Sequence, residues 1–76
     1  MSSRPVKHSV TLKGHRTSIS LEDAFWHELR HIAEDRSLPV NALVAEVDIA
    51  RQPDTGLASA LRVFVLTTLK DQIEAR

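Results

Sequence analysis

Two groups of residues in this 76-residue chain have types and spacings that could do chemistry. His27-Glu28-Leu29-Arg30-His31 reads H-E-x-x-H, in which two histidines one helical turn apart can both reach a zinc ion while the glutamate acts as general base. The second group is a strand pattern. Across His15 to Glu22, Arg16, Ser18 and Ser20 alternate with Thr17, Ile19 and Leu21, so one face is apolar and the other offers a guanidinium and two hydroxyls. The zinc chemistry needs a third protein ligand and a walled cleft. Glu46 or Asp48 supplies a carboxylate only if its helix crosses the polar side of the helix carrying His27 and His31, and the apolar stripes place it on the other side. The histidines therefore read as a solvated helix face, and neither a metal nor another cofactor is expected. No nucleophile-elbow context and no phosphate-cradling glycine loop accompanies them, with only Gly14 and Gly56 in the chain. The expectation is a protein that binds and does not catalyse.

Composition narrows what it binds. The formal net charge is zero, yet Arg4, Lys7, Lys13 and Arg16 all precede the first acid, Glu22. The chain is basic at the strand end and acidic over the helices, a polarity that suits an anionic partner on one side. There is no cysteine and hence no disulfide, and the N-terminal residues have no apolar signal core. The longest uninterrupted apolar run of the last third, Val63 to Leu66, falls far short of the ~20 residues of a membrane span. A soluble cytoplasmic protein without membrane contact is expected. A domain this small buries little surface alone, which favours oligomerisation.

The elements that must position these residues can be read in order. Residues 1–9 lack periodicity and read as a mobile basic arm, and 15–22 as the strand. Helix A is expected over 22–36, with Phe25, Leu29, Ile32 and Ala33 on one face, Trp26 at its margin, and His27, His31 and Glu34 opposite. Ser20 with Asp23 resembles a capping box. Pro39 opens helix B, 39–51, whose stripe is Val40, Leu43, Val44 and Val47. After the turn formers Pro53, Asp54 and Gly56, helix C runs over 57–75 with Leu57, Leu61, Phe64, Val65, Leu69 and Ile73 in a stripe that Ala58, Ala60, Val63 and Leu66 widen. That girth fits packing on two neighbours. One domain over 1–76, with no internal repeat, is the organisation expected. The strand needs a partner, because a lone strand cannot satisfy its backbone. Either Val10 to Leu12 returns on it through Gly14 as a small hairpin, or a second copy pairs with it; the absence of Asn-Gly or Asp-Gly favours the second copy.

A strand of alternating apolar and hydrogen-bonding residues followed by two short amphipathic helices resembles the ribbon-helix-helix DNA-binding family, to which the Arc and Met repressors belong. The similarity covers Arg16 to about Val47: T-S-I-S-L-E for the ribbon, F-W-x-x-L-x-x-I-A for helix A and L-P-V-N-A-L-V for the turn into helix B. H-R-T-S-I-S-L-E-D-A-F-W with the later L-R-V-F-V-L looks like a bacterial subfamily with a third helix. The resemblance implies a mainly α fold with one N-terminal strand, in an intertwined homodimer whose strands form an intersubunit antiparallel ribbon. It further implies a transcriptional repressor or autoregulator in which Arg16, Ser18 and Ser20 enter the major groove of double-stranded DNA. Phosphates would meet Arg4, Lys7 and Lys13, together with the amides of Val40 and Asn41 at the start of helix B. Ile19, Leu21, Phe25, Leu29, Ile32, Leu43, Val44 and Val47 would form the dimer core. The chain departs from the family at Ser37, where Gly is common, implying a different turn, and at Pro39, where a capping Ser or Thr is common, implying weaker phosphate anchoring. The alternative partner is a second protein held by helix C, in the manner of an antitoxin.

Overall fold

The computed structural model describes residues 4–75. Strand β1, Pro5–Leu12, returns as β2, His15–Glu22, and helices α1 (Asp23–Asp35), α2 (Val40–Ala50) and α3 (Leu57–Glu74) follow. The partner of the ribbon strand is thus β1 of the same chain, antiparallel, with Leu12 opposite His15 and Pro5 opposite Glu22. The hairpin closes through Lys13 and Gly14, whose φ values of 53° and 79° are the two positive values that a tight two-residue turn requires. Lysine tolerates this conformation less well than asparagine does, which is why the turn is hard to see in the sequence. The arm expected over 1–9 is corrected accordingly: Pro5 to Ser9 belong to a paired strand, while residues 1–3 lie outside the described ones.

Pairing fixes which side chains share a face. Ile19 and Leu21 are buried on the inner face, joined from β1 by Val10, while His8 lies half-buried beside them. Thr17, opposite Val10, was expected inward but is exposed. Helix α2 approaches the ribbon from the β1 side, which leaves the turn end of β2 uncovered. Beneath the ribbon, Leu29, Ile32 and Ala33 of α1, Leu43, Val44 and Val47 of α2, and Leu61 and Val65 of α3 complete one core. Phe25 and Trp26 pack against it half-buried, and the His8 ring stacks on Trp26 at 4.0 Å between centroids with 9° between planes. Among the described residues, none hydrogen-bonds the buried His8 Nε2 atom. The inner sides of the three helices therefore meet one another within the chain, while Val63, Leu66 and Ile73 of α3 stay exposed. The argument for a second copy from an orphan strand falls away, and the exposed apolar residues of α3 remain as the surface open to one.

The helix ends follow from local chemistry. Ser37 adopts φ 56°, and the amides of Ser37 and Leu38 donate to the carbonyls of Glu34 at 3.0 Å and Ala33 at 2.9 Å. These two bonds make a Schellman turn, so serine here performs the task expected of glycine, and Leu38 folds back on the core. Pro39 begins α2 by accepting from the amides of Ala42 and Leu43, which needs no amide of its own. The capping box expected from Ser20 does not form. Ser20 stays on the ribbon, Glu22 precedes α1 without a side-chain cap, and its carboxylate reaches Arg62 of α3 through two bonds of 2.8 and 3.0 Å. This pair ties the third helix to the junction of ribbon and first helix. Ile73, read as part of the apolar stripe, is 66% exposed because α3 outruns the core beyond Leu69.

Two outcomes follow. Lys13→Asn places the favoured residue at the first turn position and should raise stability by about 0.5–1 kcal/mol in urea denaturation; a loss would mean that the turn is not the one described. The hydrogen bonds from Arg62 hold the Glu22 carboxyl below its ordinary 4.5. A lowered folded-state value means that the pair stabilises above the unfolded pKa and stops doing so as pH falls through the folded one. The stability gap between the wild type and Glu22→Gln should accordingly be full at neutral pH and close below pH 4.5, and a gap that persists in acid would contradict the assignment.

Candidate nucleic-acid interface

Turning β2 so that Ile19 and Leu21 face the core turns Arg16, Ser18 and Ser20 outward, and all three are exposed. Residues opposite each other in an antiparallel pair point to the same side, so the outer face also receives their β1 partners. Thr11 lies opposite Arg16, Ser9 opposite Ser18, and Lys7 opposite Ser20. The face so formed carries two cations and four hydroxyls, with no apolar side chain between them. Two strands about 4.8 Å apart make a ribbon narrow enough for a major groove about 12 Å wide.

The β1 half of this face was absent from the sequence reading. A signal for it exists: Lys7-His8-Ser9-Val10-Thr11-Leu12 and Arg16-Thr17-Ser18-Ile19-Ser20-Leu21 are near copies, a cation, a serine, a β-branched apolar residue, a hydroxyl and a leucine recurring at the same spacing. The expectation of no internal repeat is corrected. Lys7, expected in an arm, stands within the ribbon.

Other expected contacts lie around the ribbon. Lys13 sits at the tip of the turn, and Arg4 is an exposed residue just before β1. Val40 and Asn41 open α2, whose first turn has no side-chain cap, so their amides stand at the positive end of the helix. Asn41 also touches the ribbon, its Oδ1 accepting from the Thr11 amide at 3.2 Å. That amide points away from β2, and its bond places the α2 N-terminus beside the β1 edge. The residues expected in a dimer core, Ile19, Leu21, Leu29, Ile32, Leu43, Val44 and Val47, are buried within one chain, with Phe25 packed against them.

A family model described as a ribbon-helix-helix domain matches residues 5–69. The chain belongs to the ribbon-helix-helix family. No curated protein and no solved structure matches it. The match begins with β1 and extends to Leu69 of α3, so the first strand and most of the third helix fall inside the family's domain and not beyond it.

Elsewhere on this ribbon-helix-helix chain, His27 and His31 stand on the exposed side of α1, where with Glu28, Arg30 and Glu34 they line an open concavity of about 300 Å³. Among the described residues, no three His, Asp or Glu side chains come together as metal ligands. Val63, Leu66 and Ile73 form an exposed apolar row on α3, and Val63 borders a groove of about 680 Å³ between α2 and α3. No described helix is long and apolar enough to cross a membrane. Changing both His27 and His31 to Ala should leave the unfolding free energy within about 0.5 kcal/mol, with or without added zinc. A zinc-dependent rise in melting temperature that the double variant loses would contradict this reading.

Proposed function

We propose that this protein is a sequence-specific DNA-binding regulator, a repressor or autoregulator acting in the cytoplasm, that lays the outer face of its ribbon in the major groove. The observation that carries the proposal is the composition of that face, on which every side chain from Lys7 to Thr11 and from Arg16 to Ser20 that points outward can hydrogen-bond. Arg16 donates a bidentate pair to guanine, and Ser18 and Ser20 donate or accept at neighbouring base edges. Arg4, Lys13 and the amides of Val40 and Asn41 meet phosphates on either side, which positions the ribbon without reading sequence. The family, whose members are generally DNA-binding regulators, supports the same reading. Binding requires no cofactor, and no catalytic role is proposed for the H-E-x-x-H residues.

The regulator is proposed to act as a homodimer, as the family's members typically do. Because one chain already closes its own core, the surface offered to a second copy is the exposed row of Val63, Leu66 and Ile73. The same row favours a second reading, in which α3 holds a different protein and the ribbon serves only the fold.

Arg16→Ala should weaken binding to a selected duplex by about 1–3 kcal/mol while circular dichroism stays unchanged. Neutralising Arg4 and Lys13 should instead weaken binding to all duplexes and flatten its dependence on salt. The measurement is a fluorescence titration at several salt concentrations after selection from a randomised pool. A wild-type protein that selects no sequence, and binds DNA no better than Arg16→Ala does, would remove the first reading and leave the second.

A further inference from the structure

The repeat in the two strands has a geometric consequence. An antiparallel ribbon has a local two-fold axis through any opposed pair, and the axis through Ser9 and Ser18 carries β1 onto β2 with a shift of nine residues. Under this operation Lys7 falls on Arg16, Ser9 on Ser18, and Thr11 on Ser20. On the inner face the same operation carries Val10 onto Ile19 and Leu12 onto Leu21, and the half-buried His8 onto the exposed Thr17. Like chemistry thus recurs at every equivalent position of the outer face. A strand that served only to cover the edge of β2 would need the inward repeat and the turn, but not the outward one.

We propose that β1 is a mimic of β2 built into the same chain, so that a single ribbon reads a short, nearly palindromic DNA site with Lys7 and Arg16 as its two guanine-seeking ends. The proposal rests on the DNA-binding reading above and reassigns Lys7 from anchoring to reading. Along the strands, the Lys7 and Arg16 levels are four residues apart at about 3.3 Å each, a separation of roughly four base-pair steps at about 3.4 Å. The two cations lie on opposite strands and at opposite ends of the face, so they address opposite strands of the duplex on either side of a centre faced by Ser9 and Ser18. Lysine and arginine are not equivalent readers. Arginine presents a planar fork matched to O6 and N7 of guanine, whereas lysine presents a point charge on a flexible stem. The site should therefore be palindromic in outline but more stringent on the Arg16 side. A ribbon made of two β2 strands from two chains makes a different forecast, because Arg16 would then occupy both ends and Lys7 neither.

The test is selection from a randomised duplex pool with four proteins: wild type, Lys7→Ala, Arg16→Ala and Lys7→Arg, each checked for its fold by circular dichroism. Arg16→Ala should relax preference at one outer position and Lys7→Ala at the symmetry-related one, each lowering affinity for the wild-type site by about 5- to 150-fold. Lys7→Arg should keep binding and sharpen the weaker half, making the selected motif more symmetric. If Arg16→Ala relaxes both halves together while Lys7→Ala weakens all sequences alike, the inference is overturned and the DNA-binding reading stands. If the wild type selects no motif, both fall.

Discussion

The two-residue turn at Lys13 and Gly14 is the constraint on which the rest of the molecule depends. By placing Leu12 opposite His15, it sets the register of every later pair, and in a ribbon a shift of one residue turns one strand over relative to the other. In this register, Val10, Ile19 and Leu21 meet the helices, and Lys7, Ser9, Arg16, Ser18 and Ser20 meet solvent. In the shifted one, either Val10 would leave the core and Lys7 enter it, or Ile19 and Leu21 would leave and Arg16 enter. The burial of Leu21 and Val10 therefore holds the hydrogen-bonding face outward as firmly as it holds the core together.

The same turn gives the ribbon strand its partner inside the chain, and the third helix closes the space beneath. Helices α1, α2 and α3 contact one another, and all four fully buried leucines, Leu21, Leu29, Leu43 and Leu61, come from different elements. The Glu22 and Arg62 pair fastens α3 to the point where ribbon passes into helix, next to Phe25, whose ring lies 6.0 Å from the Arg62 guanidinium. A second such contact, Arg36 over Phe64 at 5.3 Å, holds the other end of α1 to α3. Because both ends of α1 are tied in this way, the outer ribbon face rests on a fixed base, which is what reading base edges requires.

How much of this the sequence disclosed depends on the range of the interactions involved. The alternation from Arg16 to Leu21 and the helical stripes are local patterns, and they lead to one ribbon strand, expected to pair with a second copy, followed by three helices. What escaped was set by residues acting against their usual preference. Lys13 and Ser37 take left-handed conformations that glycine or asparagine would have announced, so the sequence favours a second copy over the hairpin and a different turn after α1. Glu22 and Arg62 lie 40 residues apart, and no periodicity links them. The repeat of Lys7 to Leu12 in Arg16 to Leu21 was visible in the letters, but it acquires meaning only once the strands are known to pair.

The most direct test of the central claim, that both strands of one ribbon face the bases, is an isotope-filtered nuclear Overhauser measurement on labelled protein bound to an unlabelled selected duplex. Protons of Ser9 and Thr11 from β1, and of Ser18 and Ser20 from β2, should show contacts to major-groove protons, among them cytosine H5 and thymine methyl groups. Contacts confined to α3, or to the edge of β1 with none from β2, would contradict the account.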